Sequence, residues 1–242
     1  MTTGGRPAEP EVIWSRPQRA GRGPRPAHSR ESIAAEAVRV ADAEGIEAVS
    51  MRRVAAGIGA GTMSLYNYVP RKDDLYELMV DAVSGEYAFT EPTGDWRADL
   101  LALARQTRAV MHRHPWLPRL LSPVHGFSPN ALAYLEHSLD CLAPLDAPDG
   151  EKLELIAAVN GMVSTYVAGE LALAERARSL PWSEAAEADA RAAWIGSRLA
   201  TGQYPRLAAA LTGGAPPVPD AGLDMAAVFD RSVSRLLGAW GT

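Results

Sequence analysis

The chain has 242 residues, 47% hydrophobic and 22% charged, with a net charge of −5. That is enough for one large or two small domains with a real core, and it excludes global disorder, collagen-like repeats and a disulfide-built scaffold. The single cysteine, Cys141, provides no internal disulfide or zinc cluster and suits a reducing compartment.

The net charge hides a segregation. Residues 12–72 carry ten Arg/Lys against five Asp/Glu, whereas residues 73–242 carry 13 against 22. A basic first quarter on an acidic remainder suits a local polyanion-binding surface, or simply a solvated basic one. There are 22 Arg, two Lys (Lys72 and Lys152) and 43 Ala, a usage that fits GC-rich coding, so arginine abundance alone carries little.

Residues 1–28 are rich in Gly, Pro and Arg without hydrophobic periodicity, which predicts an extended or mobile arm. Arg16, Arg19, Arg22 and Arg25 recur every third residue there; such an arm could follow a phosphate backbone or enter a minor groove, or merely aid solubility. No apolar run of signal-peptide type is present, so a soluble cytoplasmic protein is expected.

Ser29 is a suitable N-cap for a first helix, with Ile33, Ala37, Val40 and Ala41 at helical spacing and Gly45 at its end. Ser50 opens a short second helix with Met51, Val54, Ala55 and Ile58 on one face, broken by Gly57, Gly59 and Gly61. A third short helix is predicted over 62–68. A fourth opens at Pro70, with Asp73 and Asp74 in its first turn and Leu75, Leu78, Met79, Ala82 and Val83 as its core stripe.

After a linker at 89–95, Trp96, Leu100, Leu103, Thr107 and Met111 mark another helix, stopped near His114-Pro115. Leu132, Leu135, Leu139 and Leu142 mark the next. A long helix is predicted over 149–178, a weaker one over 183–200, a short turn over 206–211, a Pro/Gly loop over 212–222 and a final helix through Phe229–Trp240. The stretch 155–174 contains Asn160, Ser164, Thr165 and Glu170 and reads as a buried helix, not a membrane span. With no convincing strand alternation the fold class is all-α.

Two short helices joined by a glycine turn and braced by a preceding helix form a helix-turn-helix pattern. Residues 29–79, with Ser50-Met51-Arg52-Arg53-Val54-Ala55, Gly59, Thr62, Leu65-Tyr66-Asn67-Tyr68-Val69 and Lys72-Asp73-Asp74-Leu75, resemble the DNA-binding domain of the tetracycline-repressor (TetR) family. The resemblance implies a homodimeric, ligand-responsive transcriptional regulator. Its paired third helices would enter successive major grooves of a near-palindromic double-stranded operator, and a small-molecule effector would release it. It further implies a flexible arm over 1–28, a helix-turn-helix domain over 29–75 and a helical ligand-binding and dimerisation domain over 76–242, reached through a linking helix. The alternative is a helical small-molecule-binding protein without sequence-specific DNA binding.

By position within that family, Arg52 would face DNA from the second helix. Thr62, Met63, Ser64, Tyr66, Asn67 and Tyr68 would form the reading surface, and Lys72 a phosphate clamp. The chemistry agrees: Thr62 and Ser64 hydroxyls can bond phosphates or base edges, Asn67 can pair with a base edge, and Met63 can meet a thymine methyl. Tyr68 could equally pack against the fourth helix, and Arg53 could be solvated or bound. Leu65 and Val54 belong to the core.

On the long helix, Leu153, Ile156, Val163, Val167 and Leu171 form an apolar face interrupted by Asn160. Ala157, Gly161, Thr165, Ala168, Gly169 and Ala172 form a small-residue side. Helix-interior glycine costs about 1 kcal/mol relative to Ala, so that side suits close approach of another helix, either within the chain or across a dimer built with Phe229, Val233, Leu236, Leu237 and Trp240. Thr107, Met111, Trp116, His125, Tyr134 and Asn160 are the candidate pocket lining. The C-terminal half is more distantly similar to the tetracycline-repressor effector domain, through Trp96, the helix that follows and His114-Pro115. Leu103, Thr107 and Leu120-Leu121 stand where that resemblance places the tetracycline and magnesium contacts, so tetracycline is not the expected effector.

No cofactor, metal or catalytic role is expected. His112 and His114 diverge by about 200° on a helix, and the negative helix C-terminus accounts for basic residues there. Cys141 would act as a nucleophile only if oriented by a histidine such as His137, and as a free cysteine it is expected to be a small buried hydrophobe.

Overall fold

The computed structural model describes residues 12–16, 28–121, 127–212 and 225–240, and every regular element among them is helical. Helix α1 (Arg30–Glu44) starts in a reciprocal capping box: the Ser29 hydroxyl accepts from Ser32 N–H, and the Ser32 hydroxyl accepts from Ser29 N–H. It stops at Gly45, whose φ of +86° is closed to most side chains. Helix α2 (Met51–Gly57) is capped by Ser50, and Gly59 at φ +70° turns the chain into α3 (Thr62–Leu65).

The predicted third helix is longer than the observed one. After Leu65 the chain tightens to i→i+3 bonds, Asn67 N–H to Ser64 C=O and Tyr68 N–H to Leu65 C=O. Pro70 disfavours helical geometry at Val69 and so ends the segment. Helix α4 (Lys72–Ser84) then begins two residues beyond the predicted Pro70, where the buried Asp74 carboxylate accepts from Arg71 N–H at 3.0 Å. Ile33, Ala37, Val40, Val54, Leu65, Val69, Leu75 and Met79 close the core of these four helices, each at most 1% exposed.

The arm predicted over 1–28 is anchored before the first helix. A 3₁₀ turn at Ile13–Ser15 inserts Ile13, 1% exposed, into the same core. Arg30 Nη1 donates to the carbonyls of Ile13 (2.9 Å) and Arg16 (3.0 Å), and its Nε to that of Tyr68 (3.3 Å). One guanidinium thus ties the N-terminal segment to the turn that follows α3. Arg19, Arg22 and Arg25 lie outside the described residues.

The remaining helices follow the predicted order: α5 (Trp96–Arg113), α6 (Leu117–Leu120), α7 (Pro129–Cys141), α8 (Asp149–Ser179), α9 (Glu184–Leu199), α10 (Pro205–Thr212) and α11 (Met225–Gly238). Helix α5 is central, packing on α7, α8 and α11, and α7 also reaches α4. Glu170 of α8 takes a bidentate pair from Arg108 (Nε 3.1 Å, Nη2 2.7 Å) and lies 2.7 Å from His112 Nε2. Arg105 grips Asp230 of α11 in the same two-pronged way.

Two readings of the C-terminal half need correction. The apolar stretch of α8 is long enough to cross a membrane by length and composition, but only 28% of it is buried in the protomer. Leu155, Ile156, Val159, Val163 and Val167 make the buried stripe, while Leu153 is 44% exposed, because the packed face is set by α5 rather than by the apolar pattern alone. Phe229, Val233 and Leu237 turn inward, each at most 1% exposed, and Leu236 and Trp240 pack partly against the same core. The Arg105–Asp230 pair and an Arg97 bond to the Trp240 carbonyl hold α11 in that orientation.

Two consequences are measurable. Ile13→Ala should lower unfolding free energy by about 2–5 kcal/mol, the usual range for a buried aliphatic truncation; a free arm would leave urea denaturation unchanged. Burial pushes the Glu170 carboxyl up, but hydrogen bonds from Arg108 and His112 outweigh this and hold it below its ordinary 4.5. Its stabilisation is therefore complete above the unfolded-state value and lost as pH falls through the folded one. Glu170→Gln should unfold at lower denaturant than wild type near neutrality, and the gap should narrow in acid; a constant gap would contradict this.

Candidate nucleic-acid interface and ligand site

The first four helices present one polar, outward surface. Met63 is 79% exposed and Tyr66 41%, so both are open to a partner. Ser64 and Asn67 are exposed beside them, and Thr62 is partly covered at the first turn of α3. Arg52 projects from α2 and has no ion-pair partner among the described residues, whereas its neighbour Arg53 is held by Glu44 through Nη2 and Nε. The ambiguity about Arg53 thus resolves toward an internal pair.

Lys72 is exposed at the first position of α4, with Nζ 5.2 Å from the Tyr76 ring centroid, so an accessible amine stands at a helix N-terminus, where anions are favoured. Tyr68 is partly buried against the core of the head, which favours packing for its ring. Leu65 and Val54 are core residues, at 1% and 0% exposure.

Of the candidate pocket residues, three meet. Tyr134 Oη donates to Asn160 Oδ1 at 2.7 Å, and Tyr87 Oη donates to Thr107 Oγ1 at 3.2 Å. The Tyr87 and Tyr134 rings stand 4.8 Å apart, Phe89 stacks within 9° of Tyr87, and His137 lies 4.7 Å from Phe89. Burial raises the Tyr87 and Tyr134 hydroxyls above their ordinary range, so both remain neutral donors. Met111 is buried one turn along α5, and His125 lies outside the described residues. Trp116 sits elsewhere: its indole N–H donates to Asp42 Oδ1 of α1 at 2.7 Å. The histidines near Pro115 are likewise engaged by carboxylates, His112 by Glu170 and His114 by Asp42 and Glu86, rather than by a helix terminus.

Tyr87 and Phe89 were hidden in or beside the predicted linker. Their alternation, aromatic residues two apart in a non-helical segment, is the signal that an extended chain packs there. Asp42 gives no such signal, since an exposed-face acid on a helix is ordinary.

On the small-residue side of α8, Ala157, Gly161, Thr165, Ala168, Gly169 and Ala172 are all exposed in the protomer. A methyl group added at Gly161 or Gly169 would meet nothing within 4 Å, so packing within the protomer does not require glycine at either position.

A family model described as bacterial regulatory proteins of the tetR family matches residues 33–79, and one described as a tetracyclin repressor-like C-terminal domain matches residues 90–237. The HTH-type transcriptional repressor DrrR1 of Streptomyces coeruleorubidus is 38% identical over 200 residues, covering 82% of this chain and 74% of that one. An HTH-type transcriptional regulator of Saccharopolyspora erythraea is 34% identical over 230 residues, covering 94% and 90%. In structure the chain is similar to ActR of Streptomyces coelicolor solved with actinorhodin, at a TM-score of 0.70 and 24% identity, over 88% of this chain and 96% of that one.

Cys141 Sγ lies 3.6 Å from His137 Nε2, but the residue is 2% exposed and burial raises its thiol, the opposite of an activated nucleophile. A thiol reagent at neutral pH should label native Cys141 more slowly than the denatured chain; faster labelling of the native protein would revive a nucleophilic role.

Proposed function

The chain belongs to the TetR family of bacterial regulatory proteins, and on that premise we propose that it is a homodimeric repressor, released from a near-palindromic operator by a small-molecule effector. The observation that carries the reading is the exposed set on α2, α3 and the start of α4. Arg52, Met63, Ser64, Tyr66, Asn67 and Lys72 share one surface with no packing role there to explain them. In this reading Met63 and Asn67 meet base edges; Arg52, Thr62, Ser64, Tyr66 and Lys72 meet phosphates. Tyr68 serves mainly to seat the segment. By sequence, Arg16, Arg19, Arg22 and Arg25 supply further phosphate contacts. Repression is the sign attached to DrrR1, and the site of action is the cytoplasm, where the chromosome is.

The head occupies residues 29–75 and the effector and dimer domain residues 76–242. The exposed small-residue side of α8 supplies the dimer contact, with the outer face of α11 beside it. The effector site lies at Thr107, Tyr134 and Asn160 with Tyr87 and Phe89. Aromatic rings and neutral donors suit a flat, uncharged aromatic molecule bearing hydroxyl or carbonyl groups. We assign the protein no enzymatic role.

The decisive experiment selects bound fragments from sheared genomic DNA at about physiological salt, where weak phosphate attraction is suppressed. One or a few near-palindromic sites are expected, and recovery of nothing sequence-specific, even after unfolding and refolding to strip ligand, overturns the reading. On the recovered site, Asn67→Ala should cost about 1–3 kcal/mol and relax specificity at one position. Lys72→Ala should weaken all sequences and reduce the salt slope by about 1. Arg53→Ala should bind nearly as wild type.

A further inference from the structure

A polar cluster between the head and the C-terminal domain, with His114 and Trp116 buried and the Asp42 and Glu86 carboxylates partly open to solvent, is used by neither the DNA surface nor the effector site. Asp42 Oδ1 accepts the Trp116 indole N–H at 2.7 Å and lies 2.8 Å from His114 Nδ1. His114 Nε2 lies 3.0 Å from Glu86 Oε1, just beyond the end of α4, and the other Glu86 oxygen holds Arg113 at 2.9 Å. His114 and Trp116 are 4% and 3% exposed, with their rings 5.7 Å apart. An outer strut, Arg119 to Glu47 at 2.6 Å, is largely solvated and contributes little.

Well-packed apolar residues would join two domains at least as stably as half-exposed carboxylates and their partners do. What a carboxylate with two directed partners adds is a fixed angle. Asp42 belongs to α1, the helix on which α2 and α4 pack, so its orientation is that of the whole head. His114 directly follows α5, and Thr107 of the aromatic cluster is seven residues back on the same helix, about 10 Å along its axis.

We propose that Asp42, His114 and Trp116 form the joint that fixes the angle of each head on its C-terminal domain, and so sets the half-site spacing the dimer accepts. They are positioning residues, and none touches DNA. The inference rests on the dimeric DNA-binding reading above.

The test uses the full-length protein and duplexes in which the two half-sites of the recovered operator are moved apart or together one base pair at a time, with a single half-site for reference. Wild type should show a sharp optimum. Asp42→Ala should flatten it, with affinity for the best duplex falling about tenfold, the scale of a lost charge-assisted hydrogen bond. Its affinity for a lone half-site should stay within about twofold, as for a remote substitution. Trp116→Phe keeps the ring and removes one donor, and should broaden the optimum less; if Asp42→Ala fails to fold, this variant decides. Variants that keep the sharp optimum, or lose half-site and full-site affinity by the same factor, overturn the joint. A wild type that binds no duplex overturns the DNA-binding reading and the joint together, whereas a sharp wild-type optimum retained by both variants overturns the joint alone.

Discussion

Asp42 is a single carboxylate at the place where two packed bodies meet, and its two directed contacts tie one to the other. Toward the N-terminus it is one side chain of α1, whose buried face organises α2 and α4. Toward the C-terminus its two partners, Trp116 and His114, flank the proline that stops α5. Asp42 is not alone in this, since α4 also packs against α7 and α6 and Asp81 bonds Asn130 of α7, but it is what ties α1 itself to the C-terminal helices. In the dimeric reading proposed above, two copies must be presented at the period of the double helix, so orientation is what the interdomain contacts must supply.

The C-terminal domain is built around α5 in the same economical way. One face carries the arginines that grip α8 and α11, Arg108 to Glu170 and Arg105 to Asp230. Another carries Thr107 into the cluster with Tyr87 and Tyr134. A molecule that rearranged those rings would push against a helix already pinned on two sides, leaving movement along or about its axis as the available response. That movement arrives at His114.

What was legible in the sequence was whatever depends on local periodicity. Ser29, Gly45 and Ser50 mark helix ends by capping chemistry, and the observed boundaries fall within a few residues of the expected ones. The exposed character of Met63 and Asn67 followed from their place in a recognisable motif. Long-range pairing was not legible. Nothing near Arg30 announces that it will clamp the Ile13 carbonyl, because backbone carbonyls carry no sequence signature. Trp116 looked like a pocket residue because aromatic burial is common to cavities and interfaces, and only its indole partner distinguishes them. Phe229, Val233 and Leu237 have the spacing of an interface stripe, but periodicity identifies a buried face without saying against which chain it is buried.

The scarcity of lysine has a chemical consequence. Arginine supplies nearly all of the positive charge, and of the two lysines Lys152 is largely covered, whereas Lys72 stands exposed at the start of α4. Acyl transfer to amines, which neutralises lysine and leaves arginine untouched, therefore has one prominent side-chain target. In a cell rich in activated acyl groups, the protein's metabolic exposure would be concentrated on one ammonium, the same one to which the proposed function gives a phosphate.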